Sequence, residues 1–113
     1  MYSQREIVSM RCQVESLSAQ LEYLLVQIET IDNFIRLENE KNDLVIEEQT
    51  QKLSQPLTDE AKQEVIAYYE QFHTQFFEIV TAKQQERVQL VSQHTLLWKT
   101  KRRLVDILDA SAS

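Results

Sequence analysis

The sequence predicts an all-α protein, a long antiparallel two-helix coiled-coil hairpin. Its 113 residues include no glycine and one proline, so tight turns and hairpins of strands have almost none of the residues they need. In addition, apolar residues recur at alternating steps of three and four along the first third of the chain. A repeat of about 3.5 residues is typical of two helices that wind around each other with a left-handed supercoil.

The first helix is expected at about residues 3–52. Ser3 and Glu6 match a capping box at its start. Its apolar stripe comprises Ile7, Met10, Val14, Leu17, Leu21, Leu24, Ile28, Ile31 and Ile35. The next heptad positions are Glu38 and Asn42, before Val45. Apolar residues persist there on a shifted and broader face: Phe34, Leu37, Leu44, Val45 and Ile46. Either the supercoil stutters there or this part of the helix serves another contact.

Pro56 marks the turn, which is expected at about residues 53–58. Its ring and missing N–H end a helix, and the preceding residue is pushed out of helical angles. Thr58 is a plausible cap for a second helix at about residues 59–108, with acidic residues in its first turn. A frayed tail is expected at about residues 109–113, and the whole chain is interpreted as one hairpin domain.

In a hairpin folded near residue 55, facing residues have numbers that add to about 110. The apolar stripe would then face the polar segment TAKQQER, and the aromatic-rich segment 65–80 would face the part of the first helix where the heptads falter. Apolar surface therefore remains uncovered. It either docks a partner or is buried when a second copy completes a four-helix bundle, and the sequence leaves both open.

The net charge is −6, which disfavours nucleic acid and favours proteins as partners. Acidic residues concentrate in the middle of the sequence and basic residues near its termini, so one end of the hairpin should be acidic and the other basic. Cys12 lies off the apolar stripe, and a single cysteine fits a reducing compartment. No signal peptide or membrane-spanning apolar run is recognisable, which indicates a cytoplasmic protein.

No catalytic group, cofactor site or metal site is predicted, and the chain is not interpreted as an enzyme. Glu70 and His73 form the Glu-x-x-His step of di-iron bundles, but those sites need a second copy, and Val91 stands three residues before His94. Two groups of residues are predicted to bind partners instead. The cationic group consists of Arg5, Arg11, Trp98, Lys99, Lys101, Arg102 and Arg103. The aromatic group consists of Phe34, Leu37, Tyr68, Tyr69, Phe72, His73, Phe76 and Phe77.

The short hairpin, the segment REIVSMRCQVESLSAQ and the basic C-terminal segment KTKRRLVDILDASAS resemble the small stalk proteins of type III secretion systems, the YscO/InvI/FliJ family. The resemblance implies a coiled coil similar to the rotor stalk of rotary ATPases, peripheral to the inner-membrane export apparatus. Its terminal end would enter the pore of the hexameric secretion ATPase, and its tip would face the export gate. Members of the family also engage export chaperones.

On this resemblance, the cationic group is expected to contact the secretion ATPase and the aromatic group the export gate. Two other classes of protein stay open. A cytoplasmic export chaperone for secreted subunits would also be a small, acidic helical protein. A structural coiled-coil scaffold would dimerise through its apolar stripe and bind no ATPase.

Overall fold

The computed structural model describes residues 1–112 and is an all-α helical hairpin, which confirms the predicted fold class. Helix α1 spans Gln4–Leu53, helix α2 spans Asp59–Ala112, and residues 54–58 connect them. Contacts group the chain into two compact units, each built from a segment of both helices. We call Ile31–Glu86 the turn unit, and Met1–Thr30 with the segment that begins at Arg87 the terminal unit.

Side-chain caps fix the start of each helix where the sequence predicted them. Ser3 Oγ accepts a hydrogen bond from the Glu6 backbone N–H at 3.2 Å, and Glu6 Oε1 accepts one from the Ser3 N–H at 3.2 Å. This reciprocal pair is a capping box, and it satisfies backbone donors that the first turn leaves free. At the start of α2, Thr58 Oγ1 accepts a hydrogen bond from the Ala61 N–H at 3.1 Å.

The second helix is longer than predicted. It ends at Ala112 rather than near Leu108, so residues 109–112 are helical and not a frayed tail. Ala110 and Ala112 are strong helix formers, and no glycine or proline interrupts the last turn. The final residue of the predicted tail, Ser113, lies outside the described residues.

The seam of α1, meaning the row of side chains that faces α2, keeps one heptad register along the helix. In the terminal unit it is formed by buried apolar side chains: Met10, Leu21, Leu24 and Ile28. In the turn unit the same register continues through the half-buried Glu38, Asn42, Val45 and Gln49. Leu37, Leu44 and Ile46 are exposed. The supercoil therefore does not shift onto the second apolar face. These polar residues are only half-buried, and the side chain of Gln49 bonds across the seam to His73.

The seam of α2 is equally regular. Its members lie at alternating steps of four and three, and each is buried or half-buried: Tyr69, His73, Phe76, Val80, Lys83, Arg87, Leu90, His94, Leu97, Lys101, Leu104 and Leu108. Five of these twelve residues are histidine, lysine or arginine. A search for apolar residues alone therefore misses this repeat.

Contacts within the turn unit fix which residues face each other. His73 Nε2 lies 2.7 Å from Gln49 Oε1, and Lys83 Nζ lies 5.2 Å from the centroid of the Phe34 ring. The numbers of these pairs add to 122 and 117, so the expected value of about 110 is wrong. With this pairing, the first turns of α2 have no residue of α1 opposite them. The aromatic segment of α2 consequently faces Glu38 to Lys52, the most acidic part of α1.

Candidate partner-binding surfaces

The C-terminal part of the predicted cationic group lies on α2 in the terminal unit. Trp98 is 51% exposed, and Lys99, Arg102 and Arg103 are also exposed. Lys101 differs because it is half-buried at a seam position. Arg102 Nε lies 3.5 Å from Asp106 Oδ1, an exposed pair one helical turn apart that screening by water keeps weak. The exposed members therefore present positive charge beside an exposed indole ring.

Arg5 and Arg11 are exposed on α1 in the same terminal unit. That unit holds seven basic and six acidic side chains, so its net charge is +1. The turn unit holds five basic and twelve acidic side chains, so its net charge is −7. The acidity of the protein therefore belongs almost entirely to the turn unit.

In the aromatic group, three rings of α2 pack together within the turn unit. The centroids of Tyr68 and Tyr69 are 5.1 Å apart, and those of Tyr68 and Phe72 are 5.4 Å apart, both edge to face. Tyr68 is 53% exposed, whereas Tyr69 is only 2% exposed and lies in the core. The Tyr68 ring therefore contacts the other two rings by edge-to-face packing while about half of the residue stays exposed.

Lys52 of α1 lies over this ring cluster. Its Nζ is 5.4 Å from the Tyr69 centroid, 5.8 Å from the Tyr68 centroid and 3.7 Å from Glu48 Oε1. The Tyr69 phenol, followed by the charges of Glu48 and Tyr68, raises the pKa of Lys52 above its ordinary value of 10.5, while desolvation lowers it. The Tyr69 phenol favours the ammonium form by its proximity, although within residues 1–112 its hydroxyl forms no hydrogen bond.

A groove of about 190 Å³ separates α1 from α2 in the turn unit. Its apolar lining is Val45, Phe72, Phe76 and Ile79, and its polar lining is Glu38, Lys41, Asn42 and Gln75. Lys41 Nζ lies 3.4 Å from Glu38 Oε1, so this cation is held by its own helix. A second hollow, of about 250 Å³, is lined by Lys52, Glu64, Val65, Tyr68 and Tyr69.

The remaining members of the aromatic group occupy different environments. Leu37 and Phe77 are exposed, and Phe77 is the most exposed of the rings at 69%. Phe34 is half-buried beneath Lys83, and Phe72 and Phe76 are half-buried in the groove lining. His73 is half-buried and hydrogen-bonded to Gln49, so its imidazole bridges the two helices.

The aromatic group predicted from the sequence did not include Ile79, Val45 and Lys52, which line the two hollows. Counting heptads on α2 from Leu90, Leu97 and Leu104 back toward Tyr69 would have located the seam. It would then have placed Ile79 at the seam edge. The inter-helix partners of Lys52 require the pairing of α1 with α2, which composition does not encode.

Within residues 1–112, no group of three or more His, Cys, Asp or Glu side chains is arranged to hold a metal ion. Neither of the described helices contains an apolar segment long enough to cross a membrane. Comparison with protein-family models, curated proteins and solved structures finds no match.

Proposed function

We propose that this protein is a non-enzymatic stalk of a type III secretion export apparatus, which binds the secretion ATPase, links it to the export gate and so promotes protein export. The observation that carries the proposal is the uneven charge of the two units. The terminal unit presents an exposed cationic segment with Trp98, and the turn unit combines a net charge of −7 with exposed aromatic side chains. Two chemically different surfaces suit a protein that connects two partners.

The cationic segment suits an acidic protein surface. Charge on exposed lysine and arginine accelerates encounter with an oppositely charged partner, and a partly exposed tryptophan supplies an apolar anchor at the contact. In the proposal this segment lies against the pore of the ATPase ring. A pair of unlike helices inside a six-fold ring contacts some subunits differently from others. Such unequal contacts shift the equilibrium between the nucleotide states of those subunits.

The turn unit is the proposed docking surface for the export gate or for export chaperones. Phe77, Tyr68 and Leu37 are exposed there, and apolar surface of this kind commonly marks a protein interface. Tyr69 is excluded from that surface because it is buried.

The proposal is tested by co-purification with the secretion ATPase and by measurement of its ATP hydrolysis. The test variant replaces Lys99, Arg102 and Arg103 by glutamine and leaves the half-buried Lys101 unchanged. We expect association to weaken by roughly tenfold or more and stimulation of hydrolysis to fall, because three exposed charges are lost. The wild-type association should also weaken as salt rises.

The matched control replaces Arg36, Lys41 and Lys62 of the turn unit by glutamine. Both variants change the net charge by the same amount, and each removes one exposed arginine–carboxylate pair four residues apart. Equal effects of the two variants would show that only total charge matters. If wild-type protein neither co-purifies with the ATPase nor alters its hydrolysis, the stalk function is rejected.

A structural scaffold that dimerises is the second candidate. Val88 and Leu96 are both more than 60% exposed on α2 of the terminal unit, and a second copy could cover them. Sedimentation equilibrium separates the two functions. A tight dimer that binds no ATPase supports the scaffold, and a monomer that binds the ATPase supports the stalk.

A further inference from the structure

One face of the turn unit carries a groove that extends beyond the 190 Å³ hollow. Lys41 lines the first hollow and Lys52 the second, and they lie eleven positions, about three helical turns, apart on α1. On α2, Gln75 and Ile79 line the first hollow, and Glu64 and Tyr68 the second. Because residues three, four, seven and eleven apart share a helix face, the two hollows lie along one side of the helix pair. We call them together the turn-unit groove.

The length of the turn-unit groove matches a helical segment. From Glu64 to Ile79 it covers about 22 Å at 1.5 Å per residue, roughly four turns of helix. Its floor is apolar, with Val45, Phe72 and Phe76, and Ile79 and Tyr68 stand partly exposed at its α2 edge. Leu37 and Leu44 are exposed on α1 one turn to either side of Lys41. A third helix laid in this groove would cover all of these apolar side chains.

Charge decides which kind of helix fits. The turn unit carries a net charge of −7, and the two lysines that line the groove are already paired with glutamates of α1, Lys41 with Glu38 and Lys52 with Glu48. The groove therefore has an apolar floor in a negatively charged surround. An acidic helix, including the acidic α1 segment of a second copy, would meet like charge there.

We propose that the turn-unit groove is a docking site for a basic amphipathic helix of a partner protein, which inserts its apolar face between α1 and α2 and directs lysine and arginine toward the acidic surround. This is the helix-in-groove mode of recognition, with apolar anchors at three- and four-residue spacing. The inference goes beyond the stalk function and holds whichever protein supplies the helix. Its test contains neither ATPase nor export gate, so it can fail while the stalk function stands.

The probe is a fluorescein-labelled peptide of about 20 residues with leucine at helix-face spacing and lysine at the other positions. Two control peptides replace every lysine by glutamate or scramble the leucine positions. Binding to the full-length protein is measured by fluorescence anisotropy. We expect saturable, equimolar binding of the leucine–lysine peptide alone, and binding that weakens but persists as salt rises, because the apolar contact remains.

Two isoleucines of α2 make a matched pair of variants. Ile79 lines the groove and Ile66 does not, yet both are 41% exposed in the same unit, and thirteen positions of helix place them on different faces. Ile79→Gln should weaken peptide binding by roughly tenfold, because one branched side chain loses its burial. Ile66→Gln should leave the affinity unchanged. Equal weakening by both variants would overturn the proposal.

A second pair tests the charge. Lys41→Gln removes a cation from the groove wall and releases the Glu38 carboxylate, so affinity for the leucine–lysine peptide should rise several-fold. Arg36→Gln makes the same charge change in the turn unit and likewise frees a carboxylate, that of Glu40. Arg36 lines neither hollow and lies five positions from Lys41, on a different face of α1, so this variant should have a smaller effect. Equal gains would indicate unspecific attraction, and binding of the glutamate peptide would contradict the charge argument. A wild-type protein that sediments as a dimer and binds no peptide would make a second copy the occupant instead.

Discussion

Tyr69 is the most buried side chain of residues 1–112, and the Lys52 ammonium is near its hydroxyl without forming a hydrogen bond with it. The ring packs against Tyr68 and Phe72, which accounts for its burial. Within residues 1–112, however, no group forms a hydrogen bond with the hydroxyl, and the atom is shielded from solvent. A buried donor left unsatisfied costs about 1–3 kcal/mol of stability. At this position, burial of the aromatic ring stabilises the fold, whereas burial of the unbonded hydroxyl destabilises it.

Tyr69→Phe should raise the free energy of unfolding by about 1 kcal/mol, because it deletes the buried hydroxyl and keeps the ring. The loss of the favourable effect on Lys52 opposes this gain, but the Lys52 side chain is 48% exposed and water screens that contact. The measurement is urea denaturation followed by circular dichroism. The control is Tyr68→Phe, whose hydroxyl belongs to an exposed residue and which should change stability little. A destabilised Tyr69→Phe variant would mean that the hydroxyl has a partner in solution.

The Lys52 contact also has a defined pH dependence. Its pKa in the folded protein is raised above the ordinary value of 10.5, so the ammonium form is favoured by folding. The contribution of this contact to stability is therefore complete below pH 10.5 and is lost as the pH rises through the folded-state pKa. At neutral pH it is fully present.

Gln49 and His73 form a polar layer across the seam of the turn unit. Their hydrogen bond of 2.7 Å joins the two helices where apolar pairs would otherwise meet. A single polar pair at a seam position disfavours other registers, at a cost in stability. This layer is the most direct restraint on the register of α1 against α2 within that unit.

A double-mutant cycle measures this layer. Gln49→Leu alone leaves the imidazole of His73 without its partner and should cost about 1 kcal/mol in urea denaturation. Replacing both Gln49 and His73 by leucine should recover that loss or stabilise the protein further, since no polar group is then left unsatisfied. A double variant that is less stable than Gln49→Leu alone would contradict this prediction, because it would mean that His73 stabilises the protein by more than its bond to Gln49.

At the scale of the helices, α1 and α2 carry different kinds of seam. In the terminal unit the seam of α1 is apolar, with Leu21, Leu24 and Ile28. The seam of α2 in that unit alternates leucine with basic residues, namely Arg87, His94 and Lys101. Two copies of the α2 seam would place basic side chains against each other, whereas two copies of the α1 seam would bury apolar side chains against each other. Pairing of α1 with α2 is therefore favoured over pairing of α2 with itself.

The two helices as separate peptides should differ accordingly. A peptide of residues 4–53 should self-associate on the order of a hundredfold more tightly than a peptide of residues 59–112 at neutral pH. Sedimentation equilibrium of both peptides measures the difference. An α2 peptide in which Arg87 and Lys101 are replaced by leucine serves as the control and should recover self-association. Comparable association of the two wild-type peptides would contradict the role assigned to the basic seam residues.

The elements themselves were largely predictable from sequence, because their signals are local. Ser3 with Glu6, Thr58 and Pro56 marked the helix ends, and the stripe that starts at Ile7 marked the core of α1. The pairing of α1 with α2 was not predictable, because it depends on how far the connection carries the chain before α2 packs. For the same reason the lining of the turn-unit groove was only partly anticipated. Phe72 and Phe76 were predicted from their aromatic character, and Ile79 was left out of the predicted binding group.

At the scale of the whole molecule, the two compact units differ in net charge and in the number of buried hydrophobic residues. Of the six hydrophobic residues that are buried within residues 1–112, the terminal unit holds four, and its net charge is +1. The turn unit holds the other two, Ile31 and Tyr69, and its net charge is −7. Repulsion among like charges opposes compactness in the turn unit. Binding of a basic partner to that unit would relieve this repulsion and would raise its stability through mass action.

The unlike seams of α1 and α2 also matter during translation. The ribosome synthesises α1 before α2. The apolar stripe of α1, which can pair with the same stripe of another copy, is therefore exposed before α2 has been made. The segment from Arg87 onward completes the terminal unit and emerges after α1. Neighbouring nascent chains on one messenger could pair through α1 in that interval. Because its basic seam disfavours pairing of α2 with itself, α2 remains available to displace the second α1 and form the intramolecular hairpin.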